Sequence, residues 1–343
     1  MRSGFARSGS SLIFIPFRGR IQLVSRNRTV TAILPLKMSR LCYACSPVAI
    51  AETYSEEFMS KKKPSNHLPK LAYRNERFLE SADARTLRLL AEYLEPQVRL
   101  RRAGVQNTVV MFGSARILPR DEALRRLKEA ETKTGGASPA SAADLKAARM
   151  AVQMSRYYEE ARELARLITR WSLSLKNGRH FLVVCSGGGP GIMEAANRGA
   201  HEAGGKSIGF NIKLPVEQKP NPYISPDLSF LFRYFFMRKL WFASPAKALI
   251  VFPGGFGTMD EMWEFLTLTQ THKLGHHAII LLYGSKFWKK LINFDLLLEA
   301  GTIDAQDLQL FRMVDSPSEA FEFLKRSLSR DRALRAVIQR AFL

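Results

Sequence analysis

Ala248-Leu249-Ile250-Val251-Phe252 runs straight into Pro253-Gly254-Gly255-Phe256-Gly257-Thr258-Met259-Asp260-Glu261. A short apolar run closed by proline and glycine reads as a buried strand. An amphipathic helix is expected to follow, from Glu261 to about Gln270. Strand, glycine turn and helix together present bare backbone N–H groups to an anion. A loop that only holds phosphate needs no acids, yet Thr258, Asp260 and Glu261 stand where the helix is expected to begin. Acids favour a helix start by about 0.3–1 kcal/mol, which accounts for one of the two. The other suggests chemistry beside a phosphate.

The same pattern occurs upstream. Asn107–Phe112 reads as a core strand ending in Gly113-Ser114-Ala115-Arg116, a small-residue turn with a basic side chain. His180–Cys185 is a second strand, and Ser186-Gly187-Gly188-Gly189-Pro190-Gly191-Ile192-Met193 follows it into a helix that runs to about Ala203. Further strands are expected at Ser207–Ile212, Leu228–Phe232 and Ala278–Tyr283, and helices at 121–133, 142–176, 286–300, 317–328 and 330–341. Strands alternating with helices, and nearly continuous in apolar residues, imply an α/β fold with a parallel sheet covered on both faces. Ligands in such sheets bind beyond the carboxyl ends of the strands, where both glycine loops fall.

Neither glycine loop fits a common nucleotide motif. A dinucleotide fingerprint reads G-x-G-x-x-G after the first strand, whereas GGGPG here follows the second. No Gly-Lys-Ser/Thr follows either run, so a Walker loop is absent. Between the two loops, Arg238 and Lys239 sit among Phe235, Phe236, Leu240 and Trp241. A basic pair in so apolar a setting points to a charged partner rather than to a solvated helix face.

Residues 1–58 are treated as a basic, disordered or transit-like segment. They hold no acid before Glu52, against Arg2, Arg7, Arg18, Arg20, Arg26, Arg28, Lys37 and Arg40. A helical preface is expected over 59–105, with Leu87, Leu89, Leu90 and Leu94 as its apolar face and Pro96 as an interruption. The main Rossmann-like domain is placed at 106–343, with residues 121–141 as an insertion whose Gly135–Ser141 portion is a flexible link. The net charge of +21 admits nucleic acid, phosphorylated small substrates, or merely a basic surface. No apolar run reaches the roughly 18 residues of a membrane span. Cys42 and Cys45 form a C-x-x-C with no second pair to complete a zinc site, so no metal is expected. Cys185 ends a buried-looking strand.

Pro253–Glu261 fits P-G-G-x-G-T-x-x-E, the signature of the LOG (Lonely guy) family. Arg238-Lys239 resembles that family's second motif, and Gly187–Met193 its G-G-G-x-x-G-x-M loop. The resemblance covers roughly residues 106–325 and favours the longer bacterial branch. It implies a Rossmann-like fold, a homodimer, no cofactor, and hydrolysis of the N-glycosidic bond of a nucleoside 5′-monophosphate to free base and ribose 5-phosphate. By resemblance, Glu261 is the catalytic carboxylate and Arg238 the catalytic arginine, while Asp260 is left as a helix-start acid. Gly254, Gly255, Gly257 and Thr258 would grip the 5′-phosphate. Gly187, Gly188, Gly189, Gly191, Met193 and Lys239, with Ser114 and Arg116, would complete the nucleotide site.

Members of this family are often labelled lysine decarboxylases, a label that finds no support here, since Thr271-His272-Lys273 lacks the serine of a pyridoxal-phosphate Ser-x-His-Lys motif. Phe235-Phe236-Met237 stands where plant-type enzymes have Met-His-x, so AMP is at least as strong a substrate candidate as a cytokinin riboside 5′-monophosphate. The competing reading is a non-catalytic nucleotide or single-stranded nucleic-acid binding protein, a class that shares related sheets with molybdenum-cofactor carriers. The retained Glu261 and Arg238 argue against it. The expected location is cytoplasmic, or organellar if residues 1–58 are a transit peptide, with no membrane partner.

Overall fold

The computed structural model describes residues 68–330 except 134–138, 176–179, 216–218 and 275–277, together with the backbone of three strands nearer the amino terminus. The chain divides into two compact units, Met1–Lys70 and Leu71–Leu343. In the first, β1 (Ile13–Phe17), β2 (Arg20–Ser25) and β3 (Arg28–Ala32) form an antiparallel sheet. No regular structure was expected here. The strands follow β-branched runs separated by two residues each, the spacing of tight hairpins. Cys42 and Cys45 lie outside the described residues, as do residues 331–341 of the helix expected at 330–341.

The second unit is a seven-stranded sheet in the order β10-β9-β8-β4-β5-β6-β7. Its strands are β4 (Val105–Phe112), β5 (His180–Ser186), β6 (Ser207–Ile212), β7 (Ser229–Phe232), β8 (Ala246–Val251), β9 (Ile279–Tyr283) and β10 (Phe311–Val314). All pair in parallel. The expected Rossmann-like α/β fold is therefore the observed one, with β10 an addition. Four-residue β10 escapes a sequence reading because it is an edge strand with exposed Arg312 in it.

Period-two alternation divides the core. Val109 and Met111 face Leu164, Ile168 and Ala196 of the 139–174 and 192–202 helices. Val110 and Phe112 face Trp241, Phe242, Met262 and Phe265 of the 235–243 and 256–270 helices. From β4 the chain winds outward through β5, β6 and β7, then returns to β8 on the other side of β4. That reversal opens a crevice at the carboxyl ends of β4, β5 and β8. Cys185 is buried in this core as a free thiol whose pKa burial pushes well up.

Two helical expectations change. Residues 286–300 form two helices, Ser285–Leu291 and Phe294–Glu299, the second capped by Asn293, whose side chain accepts from Leu296 N at 3.1 Å. The Arg85–Arg102 helix is not interrupted at Pro96 but runs through it. Among the described residues no helix is long and apolar enough to cross a membrane.

Candidate active site

The turn after β4 ties the two glycine loops together. Phe252 N donates to Phe112 O at 2.8 Å, Ser114 N to Pro253 O at 3.0 Å, and Ile192 N to Ser114 O at 3.2 Å. Gly191 has φ +69°, and a Cβ on it would lie 2.4 Å from Ser114 O, so no other residue fits this junction.

Buried asparagines hold the 187–191 loop. Ser186 Oγ accepts from Gly188 N at 3.0 Å and donates to Asn197 Oδ1 at 2.6 Å. Asn221 Nδ2 lies 3.1 Å from both Gly188 O and Gly189 O, and 2.9 Å from Asn197 Oδ1. Sequence reasoning assigned Asn197 and Asn221 no role. The available signal was a polar side chain on the buried face of an otherwise alanine-lined helix.

The helix after β8 begins at Phe256, five residues before the expected start at Glu261. Gly255 is its N-cap and supplies no side-chain cap. The first bond within the helix is Met259 N to Gly255 O at 3.0 Å. The amides of Phe256, Gly257 and Thr258 therefore have no helical acceptor and point beyond the helix end. Thr258 and Glu261 fall one turn apart on the same face, both buried. Asp260 is not a helix-start acid: it lies on the outer side, with Lys239 Nζ 2.8 Å from its Oδ1.

Arg238 meets Glu261 across the crevice, its Nη2 donating to Oε1 at 3.0 Å. Their side chains are only 12% and 3% exposed. The guanidinium also lies over Phe235 and Phe242, at 5.2 and 5.5 Å from the ring centroids. Burial raises the Glu261 carboxyl to about 7, against the opposing pull of Arg238 and Lys239. Burial lowers Arg238 as well, so desolvation outweighs attraction on both sides of the pair. Glu261 Oε2 and Arg238 Nε are buried with no hydrogen-bond partner among the described residues.

A cavity of about 310 Å³ lies over this pair. Of the residues singled out in the sequence, Ser114, Arg116, Gly187 and Met193 line one side, and Arg238, Gly255, Gly257, Thr258 and Glu261 the other. Phe112, Asn211, Ile212, Leu214 and Phe235 line it without having been foreseen there. Gly188, Gly189, Gly191 and Gly254 shape the loops and do not line the cavity. Nor does Lys239, which pairs with Asp260 and, at 3.0 Å, with Glu264. Neighbours on a helix diverge by about 100°, so Arg238 and Lys239 cannot face the same way. A larger cavity of about 470 Å³ lies by Ile279, Phe311 and Phe323, at the amino ends of β9 and β10, with no carboxylate in its lining. No cluster of metal-ligating side chains occurs among the described residues.

Residues 193–324 match the family model described as "Possible lysine decarboxylase", a span that includes both Arg238 and the 253–261 loop. Over 146 residues the chain is 30% identical to the probable cytokinin riboside 5′-monophosphate phosphoribohydrolase LOG4 of Oryza sativa subsp. japonica, covering 41% of this chain and 61% of that one. Over these residues the chain is similar to LOG-family proteins. To the cytokinin riboside 5′-monophosphate phosphoribohydrolase LOG2 of Arabidopsis thaliana the chain is 26% identical over 154 residues, covering 43% of its own length and 66% of the relative's. It thus spans less than two thirds of the length of these curated relatives. Among solved structures, the molybdenum cofactor carrier protein of Chlamydomonas reinhardtii matches 66% of this chain and 99% of its own, at 17% identity and a TM-score of 0.36.

Proposed function

We propose that this protein belongs to the LOG family and hydrolyses the N-glycosidic bond of a nucleoside 5′-monophosphate, AMP or a cytokinin riboside 5′-monophosphate, to free base and ribose 5-phosphate. The observation that carries the reading is the buried Arg238–Glu261 pair one turn below an uncapped helix N-terminus. The 5′-phosphate would sit on the amides of Phe256, Gly257 and Thr258, where the helix dipole favours an anion, with the Thr258 hydroxyl as a further donor. Glu261 lies about 4.5 Å further along the axis, at 1.5 Å per residue. A phosphate anchored there sets the sugar over the carboxylate, and binding remote from the reacting bond contributes orientation at it.

Bond cleavage develops positive charge on the ribose, as in glycoside hydrolysis generally. Glu261 as carboxylate stabilises that charge, and its unpartnered Oε2 is the oxygen available to take a proton from the attacking water. The electron pair of the breaking C–N bond leaves with the base, which takes up the proton that the water gives to Glu261, and the water oxygen joins the sugar carbon. Arg238 favours the ionised form of Glu261 and holds it in place. Met193, Ile212, Leu214 and Phe235 give the cavity an apolar side suited to a base.

The test is incubation with AMP, GMP, CMP and isopentenyladenosine monophosphate, followed by chromatography for free base. Release from one of them is expected. Folded protein that releases no base from any refutes the reading, and nucleotide binding without release would favour a non-catalytic binding protein.

A homodimer belongs to the same proposal. Leu87, Leu90 and Leu94 expose one stripe and Phe236 and Leu240 another, an apolar surface suited to a second copy. Leu90→Glu with Phe236→Glu is expected to sediment as a monomer, and an unchanged sedimentation coefficient would refute this face. A cytoplasmic location is proposed with it, or an organellar one if the amino-terminal segment is cleaved. Sequencing the mature amino terminus separates the two.

A further inference from the structure

Helix 235–243 carries Arg238, and one residue of the preceding helical segment holds it from both ends. The Arg85–Arg102 helix contains Pro96, which has no N–H and leaves the carbonyl four residues back without a helical donor. That carbonyl belongs to Glu92, and Trp241 Nε1 donates to it at 3.0 Å. The Glu92 carboxylate reaches the opposite end of helix 235–243. Its Oε1 accepts from Arg233 N at 2.7 Å and its Oε2 from Tyr234 N at 3.3 Å.

Tyr234 is the N-cap of that helix and provides no side-chain cap of its own. Its carbonyl accepts from Arg238 N at 3.2 Å, so the amide of Arg238 hangs directly on the residue that Glu92 grips. Arg238 is one turn from each anchor. Arg88 Nε donates to the Tyr234 hydroxyl at 3.2 Å, and Tyr93 packs on Trp241 with ring centroids 6.0 Å apart. A negative charge at the helix start is also favoured by the macrodipole.

We propose that Glu92 is a positioning residue, which aims Arg238 at Glu261 by holding helix 235–243 through Tyr234 and Trp241. The proposal rests on the catalytic reading for its meaning, but part of its test does not. The charged groups facing Glu261 are Arg238 and Lys239, which favour its ionised form, and Glu264 and Asp260, which oppose it. If Arg238 recedes, Glu261 must titrate at higher pH.

The experiment compares Glu92→Ala, Glu92→Gln and Trp241→Phe with the wild type. Titration of the Glu261 carboxyl is followed by carbon-13 NMR on the whole chain, and base release from AMP by initial rates. Glu92→Ala is expected to move the Glu261 titration to higher pH and to lower kcat about 10- to 100-fold, the scale of small misplacements in a site. KM should stay within about twofold, because the phosphate grip is untouched. Glu92→Gln, which keeps one accepting oxygen, should be intermediate. Trp241→Phe removes only the indole donor and should shift both readouts the same way. It also carries the test should Glu92→Ala unfold. In an Arg238→Lys background, Glu92→Ala should add no further loss.

Folded variants with an unmoved Glu261 titration and a wild-type kcat would overturn the proposal. So would a Glu92→Ala loss that simply multiplies that of Arg238→Lys. If the wild type releases no base, the enzyme reading falls, while the carboxyl titration still decides whether Glu92 sets Arg238.

Discussion

Glu261→Gln should abolish base release and, above neutral pH, make the protein more stable. Glu261 is 3% exposed, and its carboxyl is raised from 4.5 to about 7 by burial, even with Arg238 Nη2 at 3.0 Å. The unfolded chain releases this proton near the lower value and the folded chain near the higher. Between them the folded state binds more protons, so its stability falls as pH rises through that window. Each tenfold change in proton affinity is about 1.4 kcal/mol, which puts the full effect at about 3 kcal/mol by pH 8. Glutamine keeps the shape of the protonated acid and cannot ionise. The attraction of Arg238 for the carboxylate is already inside that figure, because the raised value is what remains after it. Urea unfolding followed by tryptophan fluorescence at pH 5, 6, 7 and 8 is the assay. The variant should lead by about 1 kcal/mol at pH 5, where the unfolded chain has begun to ionise, and by about 3 kcal/mol at pH 8. A variant less stable at pH 8, or a gap that does not grow with pH, would refute the reasoning.

The wild-type kcat/KM for base release should rise with pH through a limb near 7, since Glu261 works as the carboxylate and titrates at about 7; a pH–rate profile from 5 to 9 checks it. A Cβ on Gly257 meets nothing within 4 Å, so Gly257→Ala should fold at least as well, by up to about 1 kcal/mol of helix propensity. Its methyl group enters the cleft, and KM for AMP should rise about tenfold. Gly254→Ala, by contrast, would place Cβ 2.2 Å from Thr258 Oγ1 and should lower the thermal midpoint measured by calorimetry.

Much of this was legible in the sequence because the deciding features are local. Apolar runs ending in glycine gave the central strands, and the carboxyl-end rule put Gly187, Gly255 and Thr258 at one crevice. The errors share a cause in tertiary context. Phe256-Gly257-Thr258 reads as loop because glycine weakens a helix, yet it forms the first turn. Pro96 reads as a break because the lost bond is visible in the sequence, whereas Trp241, which takes up the freed carbonyl, is 145 residues away. Lys239 looked like a ligand beside Arg238. Its true partners, Asp260 and Glu264, are set by how helices 235–243 and 256–270 pack.

That packing leaves Glu261 under two opposed influences, and their balance gives a last prediction. Burial alone would carry the carboxyl above its present value of about 7, and Arg238 is the largest effect holding it down. An ordinary carboxylate near 4.5 would be ionised but a poor proton acceptor, while one raised far above 7 would be neutral in the working range. Arg238→Met removes the charge and keeps an apolar chain for Phe235 and Phe242 to pack against. Glu261 should then titrate above the wild-type value, so activity at pH 7 should fall steeply and recover in part by pH 9. The recovery, read as the ratio of kcat at pH 9 to kcat at pH 7, should exceed that of the wild type about tenfold or more. An equal loss at every pH would mean that Arg238 acts on the substrate itself rather than through Glu261, and the role given to it here would have to be exchanged for that one.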